Sequence, residues 1–457
     1  MNSNDNLQVE NTYRNIIRLA LPISVAIFIP QISMFVNTLF LGYYTPANQS
    51  VPSAHLLAAS GIAGIFYLTL VMFGYGLVSG LLMLMSRKAG SNDRKGLENL
   101  FLQGGRLCFA FALMLLTLSF VLAPTLFQHF IHNPEVQQPA IAFIQIRVWS
   151  LPVIILSQLI NSYFIATSQA KYIMIGSSMQ ALSNILLDYL LIFGIGGLPE
   201  MGLAGAAWAS VLSDYIFFFT ALLVFYRTKP TTFKMRGATQ WSLQKNILIT
   251  SSPLMVQYLL SIGAWEVFFL FVEHLGKEES AVSQILRSVF GIVGVAAWAL
   301  ASTSNSMVSN LIGQQKHAEV IPAIQKIVRV SLGFALVVGL PLALFPKFFL
   351  SLMTSQPQLI EVGYASLRIV VFATWMLSVS TIYFNGVVGT GNTKINMLFE
   401  LAAIVFYLIY CTVVIEYHRM PLPWAWGSEF VYWLVLFGLS AFYLHRKFGR
   451  FSSSTKR

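Results

Sequence analysis

Three carboxylates interrupt long apolar stretches of this sequence: Asp188 in "SNILLDYLLIFG", Asp214 in "VLSDYIFFF" and Glu266 in "GAWEVFFLFV". An ionised carboxylate at the centre of a bilayer costs about 2.5–3.5 kcal/mol on insertion scales, so each needs a basic partner, water, a cation or a proton. Helical spacing puts Ile262, Gly263, Phe269 and Leu270 on the face of Glu266, with no cation in local reach. A mid-span carboxyl in such surroundings is suited to exchange a proton near neutral pH. Asn184 and Asp188, four residues apart, share one helix face and offer hard oxygens to a small cation or a proton relay. Ser210 and Asp214 share a face in the same way, and Asp214 either tunes Asp188 by like-charge repulsion or pairs with an arginine. Arg287 also lies inside an apolar run, where it can pair an acid or meet a substrate. Trp265 and Tyr258 are candidates for an aromatic cavity wall facing a cation. The competing structural readings are interhelical hydrogen bonding for the acids, packing for the aromatics and snorkelling to headgroups for Arg147 and Arg368.

The elements that must hold these groups are transmembrane helices. Hydrophobic residues make up 56% of the 457 and charged residues 10%, a balance that excludes a water-soluble protein of this length. Runs of about 20 or more apolar residues, enough to cross the hydrocarbon, recur throughout the chain. We read twelve: 16–43, 57–85, 100–130, 139–166, 172–194, 203–227, 246–273, 281–311, 324–353, 359–388, 393–416 and 421–445. Pro22, Pro152 and Pro253 are candidate kinks. The first run is too long for a signal-peptide core and lacks a cleavage pattern, so it is expected to stay as a helix. Cys108 and Cys411 both fall inside runs and give neither a disulfide framework nor metal-ligand spacing.

The net charge of +11 is a matter of topology rather than of nucleic-acid binding. With both termini cytoplasmic, all 28 Lys and Arg except Arg147, Lys277, Arg287, Lys347, Arg368 and Arg419 fall on the inner side, as the positive-inside rule requires. The expected location is a cell membrane, in bacteria the inner membrane.

The sequence also repeats itself. "KAGSNDRKGLENLFLQGGRLCFAFAL" (88–113) aligns without gaps to "LIGQQKHAEVIPAIQKIVRVSLGFAL" (311–336), matching Gly90 with Gly313 and Arg106 with Arg329. The same offset of 223 carries "ATSQAKY" (166–172) onto "GTGNTKI" (389–395). Six spans per half is an even number, so the halves insert with one orientation and should be related by a two-fold axis along the membrane normal, an arrangement found in transporters. The expected divisions are a cytoplasmic N-terminus (1–15), a six-helix bundle (16–227), a basic linker (228–245), a second six-helix bundle (246–445) and a basic tail (446–457).

With these features the chain resembles the multidrug and toxic compound extrusion (MATE) family, closest to its bacterial NorM-like branch. The likeness rests on "LALPISVAIFIPQISMFVNTLFLG", on "ATSQAK" and "GTGNTK" (similar to the family's "GAGDT" turns), on "SNILLDYLLIFG" and "GLAGAAWASVLS", and on "SSPLMVQYLLSIGAWEVFF". The resemblance implies an all-α membrane protein, two pseudo-symmetric six-helix bundles around a central cavity, exporting amphipathic and often cationic compounds in exchange for protons or sodium. It puts Glu266 on the family's acidic seventh-helix position, and Asn184, Asp188 and Ser210 on cation-binding positions of the N-terminal bundle.

Two departures stand out. "VNTLFLG" places Asn37 where the family commonly has an Asp, and an amide can ligate an ion but cannot titrate. A sodium site is therefore expected, if anywhere, at Asn37, Asn184, Asp188 and Ser210. The tenth span, "ATWMLSVSTIYFNG", has no acid, which leaves Glu266 as the expected sole acid of the C-terminal bundle.

These features predict a secondary antiporter working by alternating access, without a cofactor beyond its coupling ion, and a monomer with amphipathic small molecules and the bilayer as partners. A lipid-linked precursor flippase on the same fold is the alternative, and would want clustered intramembrane arginines. An enzyme is not expected, since no HExxH motif, no phosphate-binding loop and no nucleophile with a histidine partner is present.

Overall fold

The computed structural model describes residues 7–44, 53–229, 237–354 and 356–454, and among these every regular element is helical. The first half comprises α1 (Tyr13–Tyr43), α2 (Ser53–Gly90), α3 (Arg94–Phe130), α4 (Pro134–Arg147), α5 (Leu151–Ala166), α6 (Lys171–Phe193) and α7 (Gly202–Thr228). The second comprises α8 (Trp241–Glu273), α9 (Lys277–Gly313), α10 (Val320–Leu344), the short α11 (Pro346–Ser351), α12 (Pro357–Gly389), α13 (Thr393–Cys411), the short α14 (Leu422–Trp426) and α15 (Ser428–Ser454). Twelve spans are long and apolar enough to cross a membrane, with α4 and α5 forming one of them. Leu182, Leu186, Phe219, Leu223, Val337 and Leu344 are exposed on the outer surfaces, where lipid replaces water. The protein is an all-α, multi-pass membrane protein.

Several helices outrun the expected spans. At 38 residues, α2 is about 57 Å long at 1.5 Å per residue, so its ends stand outside the hydrocarbon. The fourth span breaks where Pro152 enters: a 3₁₀ turn at Val148–Ser150 separates α4 from α5. Pro253 lies inside α8, which begins at Trp241, ahead of the expected 246. Lys234 and Arg236 of the linker, like residues 1–6 and 455–457, lie outside the described residues.

The repeat is written in the backbone. Non-glycine residues with left-handed φ occur at Asn92 (54°) and Gln315 (64°), one offset of 223 apart, and Ser168 (60°) matches Gly391 (88°) at the same offset. These residues end α2, α9, α5 and α12, so each half turns at the same places.

The contact between the halves obeys the same rule. A Cβ on Gly90 would meet the Asn310 carbonyl oxygen at 2.0 Å, and one on Gly313 would meet the Arg87 carbonyl oxygen at 2.2 Å. The Ser86 and Ser306 hydroxyls lie 2.9 Å apart, and Ser309 donates to the Met83 carbonyl at 2.7 Å. Under the offset, Arg87 maps to Asn310, Ser86 to Ser309 and Met83 to Ser306. Each contact is thereby the mirror of another, as an isologous two-fold interface demands. Only glycine lets α2 and α9 cross this closely.

These contacts close one face, the face that carries both chain ends. Residues 7–11 lie across it. The Val9 amide donates to Asn310 Oδ1 at 3.0 Å, Gln8 Nε2 to the Gly90 carbonyl at 3.0 Å and Lys326 Nζ to the Asn11 carbonyl at 2.6 Å. Toward the opposite face, Gly61, Gly64, Gly263 and Gly291 have open space where a Cβ would sit.

Gly90→Val should pry the closed face apart. In a Ser306→Cys background, where native Cys108 and Cys411 are buried, thiol labelling at position 306 should accelerate about tenfold, given an overpacking cost of roughly 1–3 kcal/mol. An unchanged labelling rate would mean that the glycine crossing does not hold this face shut.

Candidate functional site

In the first bundle α6 and α1 pack together and bring Asn37 to Asp188: the Asn37 amide Nδ2 donates to Asp188 Oδ1 at 3.4 Å. Asp188 is fully buried, and its second oxygen, Oδ2, has no hydrogen-bond partner. One turn away on the same face, Asn184 is also buried, with its amide nitrogen unpartnered. No Lys, Arg or His of the described residues stands within ion-pair distance of Asp188. Buried polar atoms are nearly always bonded, so the two orphans leave hydrogen-bonding capacity unused on this face. A sodium ion here would need the Asn37 amide reversed, so that its oxygen faces the ion, and a proton on Oδ2 would likewise need an acceptor, which Asn184 offers only with its amide reversed. The structure does not bring the Ser210 hydroxyl into a hydrogen bond with this group; at Ser210 the backbone carbonyl accepts from Ser213.

Asp214 stands apart from Asp188 in its bonding. Its Oδ2 accepts from Arg147 Nη1 at 2.6 Å and its Oδ1 from Gln180 Nε2 at 2.6 Å. Arg147 also donates to Ser150 Oγ at 2.6 Å and lies 4.0 Å from the centre of the Tyr67 ring. The snorkelling expected of Arg147 is therefore incorrect: its side chain is only 16% exposed and points inward. The 3₁₀ turn at Val148–Ser150 follows Arg147 directly, and its Ser150 supplies one of the acceptors for the guanidinium. Arg368, by contrast, is exposed, and its Nε bonds the Ala343 carbonyl.

Glu266 is not the isolated acid that its own helix suggests. Arg287 of α9 donates to it through Nη2 at 2.7 Å and Nη1 at 3.4 Å, a bidentate pair whose side chains are about a quarter exposed. Arg287 lies against both Trp265 and Phe269, 4.7 Å from each ring centre, and these two rings meet edge to face 5.3 Å apart. Glu266 lies seven residues from the end of α8 at Glu273, roughly 10 Å in, so it is nearer the end of its span opposite the closed face than the middle. Tyr258 lies deeper on α8 and bonds Ser79 of α2 across the bundle interface.

Sequence reasoning missed two acids of the second bundle. Glu400 of α13 is 1% exposed and accepts hydrogen bonds from the Ser261 and Tyr432 hydroxyls. Glu429 of α15 is 3% exposed and accepts from Trp433 Nε1 at 2.9 Å. The expectation that Glu266 is the sole acid of this bundle is thereby corrected. Glu400 sits seven residues into its span and Glu429 at the second position of α15, places that read as span ends. The signal available was Asn396 and Glu400 at one-turn spacing, the same Asn-to-acid spacing as Asn184 and Asp188. Among the described residues no cluster of His, Cys, Asp and Glu could hold a metal.

This architecture matches known transporters. The MatE family profile covers residues 22–190 and 253–413, one block in each bundle. The chain belongs to the MatE family. Among its relatives, the probable multidrug resistance protein NorM of Thermotoga maritima is 24% identical over 425 residues, covering 92% of this chain and 89% of that protein. The NorM protein of Synechocystis is 24% identical over 399 residues, 84% of each chain. A MOP superfamily transporter from Pyrococcus furiosus superposes with a TM-score of 0.88 at 16% identity, over 99% of both chains. An outward-facing multidrug resistance MATE transporter superposes at 0.87, with 16% identity and the same coverage.

The solved structures share the two pseudo-symmetric bundles of the MATE fold with this chain. As a MatE protein it is a secondary transporter of amphipathic compounds, working by alternating access, and not an enzyme.

In this MatE chain the Arg147–Asp214 pair should act as a structural tie. Arg147→Ala strands a buried carboxylate and should destabilise the protein by about 3–5 kcal/mol, read as a lowered unfolding midpoint in detergent. The double variant Arg147→Met with Asp214→Leu should recover most of that loss, because both charges are removed together.

Proposed function

We propose that this transporter exports cationic amphipathic compounds in exchange for protons or sodium, with the closed face cytoplasmic and the present state outward-facing. The observation that carries this reading is Asp188: a fully buried carboxylate with no ion pair among the described residues, one oxygen held by Asn37 and the other free beside the unpartnered Asn184 nitrogen, and with Arg147 as its nearby basic group already bonded to Asp214. Such a group is stable in hydrocarbon only when neutralised, so its occupancy by proton or cation is tied to which face is open. Glu266 has a different part. Its charge is already balanced by Arg287 near the open face, so an arriving cation must compete with the guanidinium, and the Trp265 and Phe269 rings can stack on either. The positive-inside distribution of Lys and Arg supports the cytoplasmic assignment of the closed face.

The flippase reading loses support from the same geometry. Arg147 and Arg287 are each committed to a carboxylate and do not form a cationic cluster for a lipid phosphate.

The test is transport in liposomes. Purified protein should move a cationic dye against an imposed pH or sodium gradient, each applied separately. Asp188→Asn should abolish gradient-driven exchange, while Glu266→Gln should lower it by weakening discrimination between Arg287 and the dye. Undiminished coupled exchange in the double variant would contradict both roles.

A further inference from the structure

We infer that Glu400, with Ser261, Tyr432, Asn396 and Gln257 around it, forms a second proton-binding site, in the C-terminal bundle and distinct from Glu266. This inference rests on the antiport reading above and adds a site to it.

The site is a two-rung ladder between α8 and α13. Gln257 Oε1 accepts from Asn396 Nδ2 at 2.7 Å, and one turn further the Ser261 hydroxyl donates to Glu400 Oε1. From α15 the Tyr432 hydroxyl donates to the same oxygen. All three helices are packed together, and Glu400 and Asn396 are 1% and 0% exposed. No Lys, Arg or His of the described residues comes within ion-pair distance of Glu400. Tyr258 on α8 and Tyr432 on α15 are the ionisable groups in electrostatic contact with Glu400; Tyr407 of α13 packs on Tyr432, Glu429 lies on α15, Glu266 of α8 is paired with Arg287, and Glu361 and Arg368 of α12 are exposed. A buried carboxylate with no cationic partner must be neutralised by something small.

The arrangement favours a proton. Protonation turns one carboxyl oxygen into a donor, which then needs an acceptor. Asn396 provides one: its Oδ1 is buried, has no hydrogen-bond partner and lies one turn away on the face that Glu400 shares. The ionised form is served as well, because two hydroxyls already aim at Oε1. Both protonation states are thus accommodated by the same side chains, which a purely structural glutamate does not require.

The depth of the site separates it from Glu266. Ser261 and Glu266 are five residues apart on α8, so the Glu400 rung lies about 7–8 Å further from the open face. In the first bundle the offset of 223 maps Glu400 onto Ser177, seven residues before Asn184 on the same face of α6. Asp188 lies eleven residues beyond that position, so the C-terminal bundle carries its unpaired acid about three helical turns closer to the closed face than the N-terminal bundle does.

Infrared difference spectra of the purified full-length protein, recorded across a pH titration, test this directly. The wild type should show a carboxylic acid carbonyl band that disappears as pH rises. Glu400→Gln should lose that component and Glu429→Gln should retain it. Tyr432→Phe, which keeps the carboxyl but removes one donor, should retain the band and shift the pH at which it disappears. In liposomes Glu400→Gln should exchange fewer protons per dye molecule than the wild type. The inference is overturned if Glu400→Gln leaves both band and proton count unchanged, or if sodium removes the band at constant pH. Failure of the wild type to exchange under either gradient would instead sink the antiport reading.

Discussion

The structure turns on one constraint: a carboxylate cannot stay ionised in hydrocarbon without a partner. Four acids sit at least nine-tenths buried between the helices, and a fifth lies partly exposed near the open face. Asp214 and Glu266 are balanced by Arg147 and Arg287, each arginine held in place by aromatic rings. Asp188, Glu400 and Glu429 have no such partner among the described residues. The first two occur beside an unpartnered asparagine atom, and Glu429 is held by indole nitrogen instead. In the proposed antiport the Arg147–Asp214 pair is a fixed tie, the Arg287–Glu266 pair is the one an arriving cation meets, and Asp188 and Glu400 are the acids that take up and release a ligand.

The scaffold makes that dependence useful. The two bundles meet along a two-fold interface in which Gly90 and Gly313 let α2 and α9 touch backbone to backbone, and serine hydroxyls bridge the same helices. Such a contact is either made or broken, with little room between. A ligand that favours one state of the bundles thereby opens one face at the expense of the other, and only its differential affinity for the two states sets the bias. Asp188 on α6 and Glu400 on α13 reach this interface through helices packed directly on α1 and α8.

Most of the fold is legible in the sequence because lipid leaves so few alternatives. Length and apolarity fix the twelve spans, and the offset of 223 predicts where left-handed turn residues recur. Asn184 and Asp188 are readable as a pair because they stand one turn apart on the same helix face. What stayed hidden depends on other helices. Arg147 looks like a headgroup anchor because its carboxylate partner, Asp214, lies on another helix. Glu266 looks unpaired because Arg287 is 21 residues away, across the turn between α8 and α9. Glu400 and Glu429 read as span-end residues, yet α14 folds in and buries Trp426 completely, which sets the start of α15 deep among the helices.

The central claim is that ionisation of Asp188 and binding of a cationic substrate are linked. Linkage is reciprocal, so the dye's affinity must carry the signature of the proton. The most direct measurement is the affinity of detergent-solubilised protein for a cationic dye as a function of pH, at constant sodium, in the wild type and in Asp188→Asn. The account predicts that wild-type binding tightens as pH rises and the proton leaves, and that the variant loses most of this dependence. Identical pH dependence in the two proteins would contradict it.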